Sequence, residues 1–157
     1  MKIQKQSGFG LIEVLLAFLI LSIGLLGVAG LQTTAVKASH TAMIRTIAVT
    51  KVQEIIERIR ANSSAAVTSY AQVRGGALSI GANNNCDGAA PVECSPALLA
   101  ANDIYSWGWS LVNAGLPATG TEAAITVDTT VVPPVTTISV YWKERGENMF
   151  YETMIHQ

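Results

Sequence analysis

The amino-acid sequence predicts an α+β protein in which one long N-terminal helix packs on a small antiparallel sheet with a second, short helix. An apolar run over residues 9–31 continues into a segment of helical periodicity that ends near residue 60. Beyond residue 122, three short segments alternate apolar and polar side chains, which is typical of half-buried strands.

The composition disfavours some classes of protein. It has 157 residues, of which half are apolar and 13% are charged, with a formal net charge of −1. Soluble domains carry about 25% charged residues, so a strongly apolar segment is expected and a soluble cytosolic enzyme is disfavoured. The balanced charge offers no basic patch for nucleic acid, which we exclude as a primary partner.

The apolar run predicts a membrane-spanning helix. Between residues 9 and 31 the only ionisable residue is Glu13. At about 1.5 Å per residue the segment reaches across a bilayer core of about 30 Å. It is also too long for a secretory h-region of about 7 to 15 residues. Two alternatives stay open: a signal anchor with Glu13 near the headgroups, and a secretory signal cut near Ala29 or Gly30.

The helix is expected to continue into the head, because no Gly or Pro interrupts the chain between Leu31 and Gly75. The sequence Ala61-Asn62-Ser63-Ser64 is read as its end, so one helix is predicted from Phe9 to Arg60. Its second half is amphipathic and is expected to pack on the head through a stripe formed by Ile44, Ala48, Val52, Ile55 and Ile59.

Residues 63–95 are rich in Ala, Ser, Gly and Asn, and we expect little regular structure there. Cys86 and Cys94 lie in this region, where their spacing favours a disulfide in an exported chain. Two free thiols are the alternative. A zinc site is disfavoured, since His40 and His156 are lone residues far away in the sequence.

Ser95 and Pro96 predict the start of the second helix, and Gly115 and Pro117 its end. Trp107 and Trp109 within it are interpreted as core residues rather than a binding platform. Strands are predicted over residues 123–129, 135–142 and 148–155, the last two forming a hairpin around the turn at residues 143–147.

The sequence offers no catalytic machinery. It lacks GxGxxG, Walker A, HExxH and GxSxG patterns. Glu144 and Glu147 flank the predicted turn and are interpreted as solvated rather than as a catalytic pair. The chain is therefore predicted not to be an enzyme and to need no cofactor or metal.

The string from Lys5 to Glu13, KQSGFGLIE, resembles the class III signal of type IV pilins. The resemblance implies that a prepilin peptidase cuts between Gly8 and Phe9 and methylates the new amine of Phe9. It also implies that Glu13 pairs with the N-terminal amine of a neighbouring subunit during assembly. One departure is Gly10, where such pilins more often carry Ser or Thr.

Further segments are similar to the PilV family of minor type IV pilins. They are SIGLLG at residues 22–27, AGLQ at 29–32, ERIRAN at 57–62, DIYSW at 103–107 and ISVYWKERG at 138–146, together with Cys94 and Leu116-Pro117. The resemblance implies a type IV pilin-like fold and a minor pilin that takes part in priming or assembling the pilus.

This resemblance divides the chain into a cleaved leader (1–8), a transmembrane and filament-core helix (9–31) and a periplasmic head (32–157). The implied location is the inner membrane, with a cytoplasmic N-terminus, and then the pilus. The implied partners are the prepilin peptidase, the major and other minor pilins, the inner-membrane assembly platform and membrane lipid. Two alternatives remain, a minor pseudopilin of a type II secretion system and a pilus-tip adhesin.

Overall fold

The computed structural model describes residues 10–76, 80–86, 93–117 and 119–156, which fall into two compact units, residues 1–40 and 41–157. The elements in chain order are helix α1 (Leu11–Ala61), a 3₁₀ turn (Val67–Tyr70), strand β1 (Gln72–Gly76), helix α2 (Pro96–Asn113) and strands β2 (Glu122–Asp128), β3 (Val135–Glu144) and β4 (Glu147–His156). The predicted long helix, second helix and antiparallel sheet are all present.

The first unit contains the beginning of α1, and its side chains are exposed from Leu11 to His40. Leu11 is 81% exposed and Leu26 is 74% exposed. By length and composition, α1 is the one helix in the described part of the chain that could cross a membrane. The predicted start at Phe9 lies outside the described residues.

The second unit begins at Thr41 and holds the core. The predicted stripe on α1 is buried as expected, together with Ile56. It packs with Trp107 of α2 and with Ile125 and Val140 of the sheet. These contacts explain why the amphipathic half of α1 is helical, since burial of one face stabilises a helix more than propensity does.

The sheet has four antiparallel strands in the order β1-β2-β3-β4. Strands β3 and β4 pair continuously from Val135 opposite His156 to Glu144 opposite Glu147. Arg145 and Gly146 join them with φ values of 53° and 89°, as a type I′ turn requires. The hairpin predicted from the sequence is thus confirmed, with a tighter turn and longer strands.

Residues 63–95 were expected to contain little regular structure, and most of the described residues there are irregular, but the segment also forms the 3₁₀ turn and strand β1. Strand β1 has two glycines, and its sequence has little strand propensity. It forms because β2 lies beside it and pairs Gly75 with Ala123 and Gly76 with Glu122.

A buried hydrogen-bond network joins α1, the 3₁₀ turn and α2. The hydroxyl of Tyr70 donates to Oδ2 of Asp103 at 2.7 Å and accepts from Nδ2 of Asn62 at 3.1 Å. Nη1 of Arg58 donates to Oδ1 of Asp103 at 3.1 Å. Burial and the hydrogen bond to Asp103 raise the pKa of Tyr70 well above its ordinary value, so the hydroxyl stays a donor.

We predict that Glu54 contributes to the acid stability of the head. Burial alone raises its pKa, but Lys51 and Arg58 outweigh burial and lower the pKa from its ordinary value of 4.5. A lowered folded-state pKa contributes stability above the unfolded pKa and loses it as pH falls through the folded pKa. The side chain is 30% exposed, so the contribution is below about 1 kcal/mol.

Urea unfolding in detergent measures the difference in unfolding free energy between the unmodified full chain and Glu54→Gln. The difference in unfolding free energy should be present at pH 7 and should decrease as the pH falls below 4.5, the ordinary glutamate pKa, and through the lowered pKa of Glu54. Glu57→Gln is the control, because Glu57 is exposed and pairs with Arg60 on the surface. A difference that persists unchanged at pH 3 would contradict the electrostatic origin.

Gly81 holds the segment before the disulfide against α2. Its φ is +72°, and a Cβ there would lie 2.5 Å from the backbone nitrogen of Tyr105 and 2.7 Å from the carbonyl oxygen of Ala101. We expect Gly81→Ala to cost about 3 kcal/mol, because a left-handed Ala is strained and backbone atoms cannot move aside cheaply.

The matched control is Gly146→Ala, where φ is +89° but no atom lies within 4 Å of the added Cβ. It should show only the conformational cost of about 1 to 2 kcal/mol. Chemical unfolding in detergent, followed by tryptophan fluorescence, compares the two variants. Equal losses would mean that the close approach to α2 has no energetic effect.

Candidate functional site

Glu13 lies in the first turn of α1 with an exposed side chain. Its backbone N–H donates to the carbonyl of Gly10 at 3.0 Å, which starts the helix. A carboxylate is favoured near a helix N-terminus, where unpaired N–H groups carry partial positive charge. Within the described residues, the carboxylate of Glu13 has no hydrogen-bond or ion-pair partner.

Hydroxyl side chains in this half of the helix form hydrogen bonds with their own backbone. The Ser22 hydroxyl donates to the carbonyl of Phe18 at 2.7 Å, and the Thr33 hydroxyl donates to the carbonyl of Gly30 at 2.8 Å. Such bonds let a hydroxyl enter an apolar environment at little cost. Glu13 differs from them because its charge needs a partner from outside the described part of the chain.

The surface beside Glu13 is apolar. A shallow groove along one side of the helix is lined by Glu13 and by four apolar residues, Val14, Ala17, Phe18 and Leu21. An approaching group would therefore meet the carboxylate in an environment of low polarity, where charge attraction is stronger than in water.

Three glycines recur further along the same helix. A Cβ added at Gly24, Gly27 or Gly30 would meet nothing within 4 Å. Packing within the described chain therefore does not require glycine at these positions. Small residues in an apolar helix let a neighbouring helix approach closely.

The predicted processing site, Gly8 and Phe9, lies outside the described residues. The structure therefore neither supports nor opposes the cut between them, and the methylation of Phe9 stays a prediction. The described chain begins at Gly10, one residue after the predicted new terminus.

The head contains the predicted cysteine pair. Cys86 and Cys94 form a disulfide, with their Cα atoms 5.9 Å apart. Asn102 on α2 supports the segment before it, because its side-chain oxygen accepts the N–H of Asn84 at 2.9 Å. Sequence reasoning missed the role of Asn102, a polar residue that is only 1% exposed.

Removing the disulfide is expected to destabilise the head. The variant Cys86→Ser/Cys94→Ser should lose about 2.5 kcal/mol, because the open chain gains conformational entropy on unfolding. Urea unfolding of the full chain in detergent measures the loss, since buried Trp107 and Trp142 report on the head.

Reduction of the unmodified chain is the control and should produce a similar loss, whereas the double variant should not respond to the reductant. Equal stability of the oxidised chain and the double variant would contradict this prediction. Two thiols that react with an alkylating agent under non-reducing conditions would show that the bond does not form in the protein.

The two tryptophans of α2 have different environments. Trp107 is fully buried and its Nε1 donates to the carbonyl of Lys51 at 2.7 Å. Trp109 is 47% exposed, and its Nε1 donates to the hydroxyl of Tyr105 at 2.8 Å. The prediction that both are core residues was right for Trp107 and wrong for Trp109, which faces away from the core.

The carboxylates at the β3–β4 turn also differ from each other. Oε1 of Glu144 accepts a hydrogen bond from the hydroxyl of Thr41, and its Oε2 is buried, whereas Glu147 is exposed. The interpretation that both are solvated was wrong for Glu144. Within the described residues, no group of three or more His, Cys, Asp or Glu side chains could hold a metal ion.

Comparison with known families agrees with both halves of this description. Residues 3–29 match the prokaryotic N-terminal methylation motif, and residues 30–105 match the family described as type IV pilin Tt1218. No curated protein and no solved structure matches the chain.

The long apolar helix, the small antiparallel sheet and the second helix together make a type IV pilin fold. The chain is a type IV pilin with a prepilin signal, and therefore a subunit of a pilus or a pseudopilus. Type IV pilins are structural proteins. The signal implies processing by a prepilin peptidase and assembly with other pilins.

Proposed function

We propose that the chain is a minor, PilV-like pilin that is matured by prepilin peptidase and helps to prime or assemble the type IV pilus. The observation that carries the proposal is Glu13, a carboxylate without a partner among the described residues, on a helix whose apolar side chains are exposed. Similarity of the sequence segments quoted above to PilV proteins supports the finer assignment.

The exposed apolar surface of α1 must be shielded from water both before assembly and in the filament. Lipid covers it while the subunit waits in the inner membrane with its N-terminus in the cytoplasm and its head in the periplasm. Neighbouring helices cover it in the filament. This exchange requires no large change in hydrophobic free energy, because lipid tails and apolar side chains are similar environments.

Pairing of Glu13 with a neighbouring subunit favours transfer of the helix from lipid into the filament. Cleavage after Gly8 leaves an amine at Phe9, and methylation keeps that amine positively charged. An amine from a neighbouring subunit that reaches the apolar groove beside Glu13 neutralises a charge that is costly in the membrane. Attraction in low dielectric then favours one axial position of the neighbouring helix over others.

The glycines Gly24, Gly27 and Gly30 serve contact between helices. Because no atom of the described chain fills the space beside them, neighbouring helices can approach α1 closely at these positions. The glycines lower helix propensity by about 1 kcal/mol each relative to alanine. They are therefore expected to be kept for contact between subunits rather than for the stability of α1 itself.

Deleting the gene tests the assignment to the pilus. Loss of surface pili, with type II protein secretion intact and restoration by the plasmid-borne gene, is the expected result. Intact pili with failed secretion would contradict it and identify a minor pseudopilin instead. Quantitative mass spectrometry of sheared pili should find the chain far below the major subunit, and equal abundance would contradict the minor role.

A further inference from the structure

The two edges of the sheet differ in how well they are protected. At one edge, β1 has five residues, two glycines and an irregular register between Gln72 and Gly75. At the other edge, β4 has ten residues that pair with β3 without interruption. Proteins usually protect an edge strand with charged side chains, above all Lys, with Pro or with a bulge. Strand β4 has no Lys, Pro or bulge, and its charged residues are Glu147 and Glu152.

Within the described part of the chain, the backbone groups along the outer edge of β4 have no hydrogen-bond partner. The two-residue turn makes Glu144 and Glu147 a hydrogen-bonded pair, and such pairs then alternate along the hairpin. The N–H and C=O groups of Phe150, Glu152 and Met154 therefore point away from β3. No described strand lies beyond this edge.

The side chains of these residues form a mixed surface beside the open edge. Phe150 is 66% exposed and Met154 is 62% exposed. Glu152 lies between them on the same face, where its Oε2 accepts a hydrogen bond from the Ser139 hydroxyl at 2.8 Å. Strand β4 carries Glu147 and Glu152 but no Lys or Arg.

These positions define the strand that would fit. A strand added to β4 places one residue opposite each of Phe150, Glu152 and Met154, on the same face. Apolar residues suit the two outer positions, and Lys or Arg suits the central one. The complementary pattern is apolar, any residue, basic, any residue, apolar.

A second copy of the chain does not supply this pattern at its sheet edges. Antiparallel pairing of two β4 strands with Phe150 opposite Met154 brings Glu152 opposite its own copy. Strand β1 has the basic residue Arg74, but Gln72 and Gly76 occupy the two outer positions. The occupant is therefore a different polypeptide.

We propose that β4 binds an extended segment of another protein by strand addition, and that the segment carries the pattern apolar, any, basic, any, apolar. Backbone hydrogen bonds provide affinity in such complexes, and alternate side chains provide specificity. This inference does not depend on which filament the chain joins.

The test uses the full chain in detergent and a fluorescent seven-residue peptide with Val, Lys and Val at its second, fourth and sixth positions and Thr elsewhere. Fluorescence anisotropy should detect saturable binding. The same peptide with Glu at the centre should bind about tenfold more weakly, because like charges oppose each other across paired strands.

Met154→Pro removes an outward N–H without removing a bond to β3, so it blocks the edge and leaves the hairpin paired. It should weaken binding at least tenfold relative to the control Met154→Thr, which keeps the N–H. Glu152→Lys should reverse the preference between the two peptides. This reversal keeps the proposal testable if the proline variant unfolds.

Three results of the peptide-binding experiments would overturn the proposal. They are absence of saturable binding of the Lys peptide, binding that Met154→Pro leaves unchanged in a folded chain, and no change of preference in Glu152→Lys. Dimerisation of the full chain that Met154→Pro abolishes would also overturn it, because it would identify a second copy as the occupant.

Discussion

Replacing Gly8 with Leu is expected to block maturation, so that nearly all of the chain keeps its leader and remains in the membrane. A peptidase that cuts immediately after this residue must hold the backbone closely, and glycine alone has no side chain to obstruct that approach. Intact mass and N-terminal sequencing of the membrane fraction measure the result. Removing residues 1–8 leaves 157 − 8 = 149 residues that begin with methylated Phe9.

Gly10→Ser is the matched control, since Ser is common at this position in the pilins that the signal resembles. It should be processed normally, and Gly8→Ala should be intermediate between the two. Efficient cleavage of Gly8→Leu at the same bond would contradict the proposed site. A mature terminus near Leu31 would establish an ordinary secretory signal instead.

Replacing Glu13 with Gln is expected to leave insertion and cleavage intact while association with other pilins and piliation are lost. Glutamine keeps the size and the hydrogen-bonding capacity of the side chain but removes the charge. Membrane insertion of Glu13→Gln should equal or slightly exceed that of the unmodified chain, because a charge in an apolar helix costs a few kcal/mol. The attraction to the amine of a neighbouring subunit, which is strong in low dielectric, disappears.

Affinity purification of the tagged full chain from membranes, followed by identification of the bound pilins, measures this effect. Glu57→Gln is the control, because it is the same substitution on α1 at a carboxylate that is 67% exposed in the head and pairs with Arg60. If Glu13→Gln copurifies with partner pilins and restores pili fully, the pairing role is wrong. Glu13 would then be a residue read by the peptidase or during methylation.

The periodicity and the capping residues of the sequence by themselves determine several features of this protein. The stripe from Ile44 to Ile59 predicts the face that α1 buries, because helical periodicity brings these side chains together. Ser95 predicts the start of α2, and its Oγ does accept the N–H of Leu98. The alternation around Ile138 and Tyr151 predicts the hairpin, and Glu13 stands out as the one carboxylate in an apolar run.

Other features depend on tertiary contacts and could not be predicted from the local sequence. Strand β1 exists because β2 pairs with it, although its glycines favour a loop. Trp107 and Trp109 are two residues apart on one helix, so they face different directions and only the position of α2 against α1 determines which is buried. The partners of Tyr70, Asp103 and Arg58, the close approach at Gly81 and the open edge of β4 likewise depend on residues distant in sequence. Periodicity shows which side chains share a face, but the neighbour of that face depends on how the whole chain packs.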